Sequence, residues 1–262
     1  MSERNPRVLD VVHAGRVPYR EALQWQRDLA RARIEGRLRH DVLLLLEHPP
    51  VVTLGRTARS EHLLDTRGLD VVEVERGGDV TFHGPGQLVG YPILDLRRHR
   101  RDLHWYLRAL EGALIDALAR LAVAAARRPG YTGVWTGTRP RKIASIGVHV
   151  KQWVTWHGFA LNVTTDCSQF ACIVPCGITG VEMTSVEREV GVGQTSGLWD
   201  ASVRAVIGAF ERAFELRARV AERSRAGEDW GSLPVGGARG ADDAELPPRD
   251  EPRRPRPMRL SV

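Results

Sequence analysis

Three cysteines fall within one ten-residue span, Cys167, Cys172 and Cys176, and their spacing limits what they can do. With His157 nearby they invite a zinc reading. The pattern Cx4Cx3C lacks the paired CxxC knuckles of structural zinc sites, so no metal is expected. The alternative is one functional thiol among bystanders. Cys176 is the candidate, because in VPCGI it sits between Pro175 and Gly177, where a bent backbone presents a side chain at a turn instead of packing it. Cys167 and Cys172 read as small apolar side chains. A cysteine nucleophile needs a cation to lower its pKa or a base to take its proton, and His83 and Lys142 are the two groups able to help. Of 38 basic residues only Lys142 and Lys151 are lysine. Lysine alone among strong cations can lose its proton at accessible pH, which gives Lys142, at the start of the run IASIG, a chemical reason to stand where arginine stands elsewhere. His83, between Phe82 and Gly84, reads equally as a structural histidine of its loop.

That loop, RGGDVTFHGPGQ from Arg76 to Gln87, is a polar, glycine-punctuated stretch between two apolar runs, VVEVE and LVGYPILDL. Gly77, Gly78, Gly84 and Gly86 with Pro85 let the backbone approach a ligand, while Arg76, Asp79, Thr81, His83 and Gln87 supply polar contacts. It has neither the GxGxxG spacing of a dinucleotide turn nor the GKS or GKT ending of a phosphate loop, so no nucleotide is expected.

The elements that must position these groups follow from periodicity. VPYREALQWQRDLARARIEG, with Pro18 in its first turn, reads as an amphipathic helix. DVLLLLEH is a buried strand, and PPVVTLGR, VVEVE and LVGYPILDL complete a β-rich first half. Asp102 caps a long helix whose Leu103, Leu107, Leu110, Leu114, Ala117 and Leu121 face a core. RPGYTGVWTGTRPRK reads as a loop, IASIGVHV and WVTWHGFALNV as a strand pair, TTDCSQFACIVPCGITG as irregular, and about Asp200 to Glu222 as a last helix. The order suggests one α/β or α+β domain with a mixed sheet.

From about Arg225 the apolar pattern dissolves, and six of the 15 prolines lie in this tail, which is read as disordered from 225 to 262. The N-terminus lacks an apolar signal region and no stretch is apolar enough to span a membrane, so a cytoplasmic, membrane-free protein with free thiols is expected. A net charge of +6 raises the question of nucleic acid. The arginines are dispersed, without an aromatic-interleaved stripe, so no nucleic-acid partner is expected and an acidic protein partner suits the charge equally well.

The segments LLLLEHPPVVTLGR, RGGDVTFHGPGQLVGYPILDL, RKIASIGVHV, HGFALNV and IVPCGI together resemble the lipoyl(octanoyl) transferases, which move an octanoyl group from acyl carrier protein to a lysine of a lipoyl domain. The resemblance implies a biotin/lipoate protein ligase-like catalytic domain over residues 1–224, an α/β (α+β) fold with a mixed β-sheet flanked by helices. It implies that Cys176 carries the acyl thioester and that Lys142 lowers its pKa and serves as acid and base. Arg76, Gly77, Gly78, Asp79, Val80, Thr81, Phe82 and His83 would line the acyl site, as would Ser145, Ile146 and Gly147 of SIG and Gly158, Phe159 and Ala160 of GFA. The implied donor is octanoyl-acyl carrier protein. The implied acceptors are lipoyl domains of 2-oxoacid dehydrogenase E2 subunits and the glycine cleavage H protein. No cofactor is required, since passage from thioester to thioester to amine runs downhill, and backbone N–H groups near Cys176 and Lys142 are expected to form an oxyanion site. Three competing readings remain: an ATP-dependent lipoate or biotin ligase of the same fold, which needs no cysteine nucleophile; a basic non-enzymatic binding protein; and a cysteine hydrolase.

Overall fold

The computed structural model describes residues 7–66, 68–178, 180–191 and 196–221. In chain order these form β1 (Arg7–Arg16), α1 (Tyr19–Ile34), β2 (Asp41–Glu47), β3 (Val51–Leu54), β4 (Asp70–Glu73), β5 (Val80–His83), β6 (Gln87–Ile93), α2 (Leu103–Arg120), β7 (Ala125–Arg128), β8 (Tyr131–Thr136), β9 (Arg141–Lys151), β10 (Val154–Asn162), β11 (Glu182–Met183), α3 (Val186–Val190), α4 (Leu198–Phe214) and β12 (Leu216–Ala221). The main sheet runs β12-β1-β2-β6-β10-β9-β8-β7, with β11 also against β9. β1 lies parallel to both β2 and β12, and β11 parallel to β9; the other pairs are antiparallel, so the sheet is mixed as expected.

The run VLLLL is apolar on both faces because both faces of β2 are covered. Leu43 and Leu45 join a core with Tyr106, Leu110 and Leu114 of α2 and Val206, Phe210 and Phe214 of α4. The alternate residues Leu44 and Leu46, also buried, belong to the other face, where α1 packs on β6 and β10. A second sheet, β4-β3-β5, holds its own small core of Val52, Val80, Phe82, Phe170, Ile173 and Met183. The Asp102 carboxylate accepts the Trp105 N–H at 3.0 Å and caps α2 as its sequence predicts. Leu103 is exposed, and the buried stripe begins one turn later at Tyr106.

Three expectations give way. The glycine loop is shorter than it reads, since VTFH within it is β5, paired antiparallel with β3. RPGYTGVWTGTRPRK is not a loop: a turn with Gly130 at φ 81° joins β7 to β8, and the ladder with β9 overrides the Gly, Thr and Pro content. The last helix ends at Phe214, where Glu215 turns left-handed (φ 52°, ψ 50°), and 216–221 become a strand despite helix-forming Leu, Arg and Ala. The tail expected to be disordered, 225–262, and the domain boundary at 224 lie outside the described residues. Among the described residues no helix is long and apolar enough to cross a membrane.

Candidate active site

Cys176 occupies a single 3₁₀ turn, Pro175–Gly177, with the cysteine itself left-handed at φ 57°, ψ 22°. Left-handed backbone costs a residue with a Cβ roughly 1–2 kcal/mol, so the surroundings must hold it there. They do so through the backbone: Val174 N–H donates to His62 O (2.8 Å), Gly177 N–H to Val174 O (3.0 Å) and Ile178 N–H to Pro175 O (3.1 Å). Gly177 is also left-handed, at φ 67°, and a Cβ there would stand 2.6 Å from Asp79 Oδ2 and 2.8 Å from His62 Cε1. Only glycine fits both the conformation and the space.

Lys142 reaches the thiol from β9, where it is flanked by Trp135 of β8 and Met183 of β11. It is 1% exposed, and its Nζ donates to Cys176 Sγ at 3.0 Å. The ammonium lies 5.4 Å from the centre of the Trp135 ring. Gly133 leaves room for it, since a Cβ there would meet Lys142 Cε at 2.8 Å. Ser145 Oγ stands 4.0 Å from the sulfur. Burial opposes ionisation of Cys176, but the Lys142 charge and hydrogen bond, with Arg76 and Ser145 behind them, outweigh it and hold the thiol below its ordinary value. Burial pushes the other two thiols, Cys167 and Cys172, up. His83 is not the thiol's partner. Its Nδ1 bonds Gln87 Oε1 at 2.7 Å, and burial brings its pKa down to about 3.

The thiol and the ammonium open on a cavity of about 390 Å³. Of the residues expected to bind substrate, Arg76, Gly78, Asp79, Val80, Thr81, His83, Ser145, Ile146, Gly147, Gly158, Phe159 and Ala160 line it. Gly77 and Phe82 do not. Gly77 N–H bonds Val148 O at 2.9 Å and ties the loop to β9, and Phe82 is drawn into the small core edge-on to Phe170, with ring centres 5.5 Å apart. Opposed glycines, Gly147 on β9 and Gly158 on β10, thin the sheet at the cavity, and Arg76 fills part of the space, its Cδ 3.0 Å from where a Gly147 Cβ would be. The Arg76 guanidinium is buried, with Nη2 on Thr53 O (2.8 Å) and Thr53 Oγ1 (2.9 Å).

Sequence reasoning missed Tyr19, Tyr91 and His157, which also line the cavity. Tyr91 carried a usable signal, because a tyrosine inside the apolar run LVGYPI must find a partner for its hydroxyl. It pairs with His48 Nε2 at 2.7 Å. His157 is left-handed (φ 53°) with its N–H on Gln26 Oε1 at 2.9 Å, and Tyr131 and Thr132 come from the hairpin read as loop. The N–H groups of Gly177 and Ile178 close the cysteine turn, and the side-chain polar groups beside the sulfur are Lys142 Nζ and Ser145 Oγ.

A reduced-pKa thiol paired with a buried lysine over a cavity is equipment for acyl transfer, and comparison with known proteins gives the same direction. Residues 18–215 match the family model of the lipoyl protein ligase A/B catalytic domain. An octanoyltransferase of Gloeobacter violaceus is 57% identical over 170 residues, covering 64% of this chain and 76% of that one. An octanoyltransferase of Nostoc sp. is 48% identical over 206 residues, covering 77% and 90%. The chain belongs to the octanoyltransferase family. It is therefore an acyltransferase. The octanoyltransferase fold extends to a bi-partite lipoate protein ligase from Thermoplasma acidophilum, with TM-score 0.60 at 19% identity over 84% of this chain and 87% of that one, a likeness of fold alone.

Proposed function

We propose that this octanoyltransferase-family enzyme takes the octanoyl group of octanoyl-acyl carrier protein onto Cys176 as a thioester and hands it to the lysine amine of a lipoyl domain. The observation that carries this reading is the 3.0 Å contact between Lys142 Nζ and Cys176 Sγ at the wall of the cavity. The thiolate attacks the carrier thioester. Lys142 and Ser145 stabilise the developing oxyanion, and Lys142 gives its proton to the departing carrier sulfur. The acceptor amine then attacks the Cys176 thioester, and the neutral Lys142 recovers a proton from it. Val80, Ile146, Phe159 and Ala160 offer the octanoyl tail apolar walls, each buried methylene contributing ~0.8 kcal/mol.

Acceptors of this chemistry are lipoyl domains of 2-oxoacid dehydrogenase E2 subunits and the glycine cleavage H protein, and the fold neighbour from Thermoplasma acidophilum is described with its E2 lipoyl domain. An ATP-dependent ligase adenylates a free acid and has no use for a cysteine with a lowered pKa, which favours transfer. Intact mass of the protein after incubation with octanoyl-acyl carrier protein, without ATP and with EDTA, should show one octanoyl adduct on Cys176 that disappears when a lipoyl domain is added. An adduct on Cys167 or Cys172, turnover by Cys176→Ala, or a need for ATP with pyrophosphate release would overturn the reading.

A further inference from the structure

Octanoyl transfer to a lysine has a proton count that one lysine does not complete. In the first half-reaction the carrier C–S bond breaks as the Cys176 S–C bond forms, and Lys142 protonates the carrier sulfur. The acceptor lysine, with an ordinary pKa of ~10.4, arrives as an ammonium. Two protons must leave its nitrogen, one before attack and one as the C–N bond forms and the Cys176 C–S bond breaks. Lys142 takes one and is restored beside the thiolate. The other proton is a net product and needs a second acceptor.

The geometry points to the Asp79–His62 pair as the subsite that receives the acceptor ammonium and removes its surplus proton, a role resting on the transfer reading above. Asp79 lines the cavity with Cys176 and Lys142, and its Oδ2 stands 2.6 Å from where a Cβ on Gly177, the residue after the nucleophile, would be. A carboxylate in the wall of a pocket for an apolar tail has no use toward the tail, and an incoming cation is the partner it suits. Its Oδ1 accepts the Val80 N–H at 2.7 Å, and its Oδ2 meets His62 Nδ1 at 2.8 Å. His62 is held to the cysteine turn by its own carbonyl, which accepts the Val174 N–H, and it does not line the cavity.

The charged groups around the pair are Glu61, whose Oε1 is 3.9 Å from His62 Nε2 and which also meets Arg59, then Arg76, and beyond Gly177 the Cys176–Lys142 pair. The ammonium docks on Asp79. One N–H bond of the ammonium breaks as an O–H bond to Asp79 Oδ2 forms, and that proton passes on to His62 Nδ1 while the ring keeps its own proton on Nε2, so the ammonium becomes an amine and the imidazole an imidazolium with Asp79 still compensating the charge. The imidazolium returns its proton to water. Asp79 touches the substrate, and His62 acts through it.

The test separates the two half-reactions in full-length His62→Gln and Asp79→Asn proteins. Cys176 acylation by octanoyl-acyl carrier protein and transfer to a lipoyl domain are each followed in single turnover by intact mass, from pH ~6 to ~10. Near neutral pH, transfer should fall by ~10²-fold, at least ~10-fold more than acylation. The deficit should shrink as pH approaches that of free lysine, and hydroxylamine, which arrives uncharged, should narrow the gap between variants and wild type. A merely structural role would slow both halves alike at every pH. That outcome, or transfer within ~3-fold of wild type, overturns the proposal. A wild-type protein that never acylates Cys176 overturns the transfer reading beneath it.

Discussion

Lys142 differs from the guanidinium of Arg76, the other cation on the cavity wall, in being able to give its proton away. That difference is testable at the single side chain. Lys142→Arg keeps a positive charge near Cys176 but has a planar, permanently protonated head, so kcat/KM for octanoyl transfer should fall by at least ~10²-fold, with Lys142→Ala at or below it. The pH dependence of Cys176 alkylation reads the thiol directly. Burial raises its pKa and Lys142 is the leading influence lowering it, so in Lys142→Ala the midpoint should move up and alkylation near neutral pH should slow. Near-normal turnover of Lys142→Arg would show that charge alone suffices. An unmoved midpoint in Lys142→Ala would break the pairing itself.

At the scale of elements, the last strand matters more than its exposed position at the sheet edge suggests. β12 covers β1 from Arg7↔Leu216 to Val12↔Ala221, buries Leu216, and brings Arg219 Nε to Asp10 Oδ1 at 2.7 Å. A chain ending at Phe214 would leave the β1 edge unpaired and Leu216 missing, a loss of about 2–3 kcal/mol from the side chain alone. Thermal unfolding should then shift down by about 5–10 °C. A chain ending at Arg225 keeps all of β12, and its Tm and turnover should stay close to those of the full chain. Equal Tm values for the two truncations would show that β12 contributes nothing.

At the scale of the whole molecule, buried histidines shape the response to acid, His48 and His83 among them. His48 places Nδ1 on Val17 O (2.7 Å) and Nε2 on Tyr91 Oη (2.7 Å), the pattern of a neutral ring that donates to the carbonyl and accepts from the hydroxyl. Burial brings it down to about 4, and His83 down to about 3. Unfolded histidine takes up its proton near ~6.5, so below that pH the unfolded chain binds protons that the native one refuses. Stability should be level above pH ~6.5 and fall as pH drops toward about 4, by roughly 1.4 kcal/mol per pKa unit for each group. Urea midpoints between pH ~7 and ~5 read this contribution together with the same-signed ones of His13, His40 and His157, whose pKa values burial also lowers, and stay above the range of ordinary carboxylates. A flat profile over that window would mean that both rings ionise inside the fold.

Much of the candidate site was legible because its signals are local. The turn residues of PCGI mark Cys176, the arginine bias marks Lys142, Asp102 caps α2 within three residues, and VLLLL declares a strand covered on both faces. What tertiary structure alone decided was which groups meet. Lys142 and His83 were both candidates for the thiol, the arginine bias favouring Lys142, and the pairing of β9 with β8 and β11 carries Lys142 to Cys176, 34 residues away, while β5 turns His83 to Gln87. The same holds for Tyr19, Tyr91 and His157, drawn to one cavity from three elements, and for Phe82, taken by the small core. The strand at 216–221 was illegible for the same reason: its residues prefer a helix locally, and the free edge of β1, more than two hundred residues earlier, overrides them.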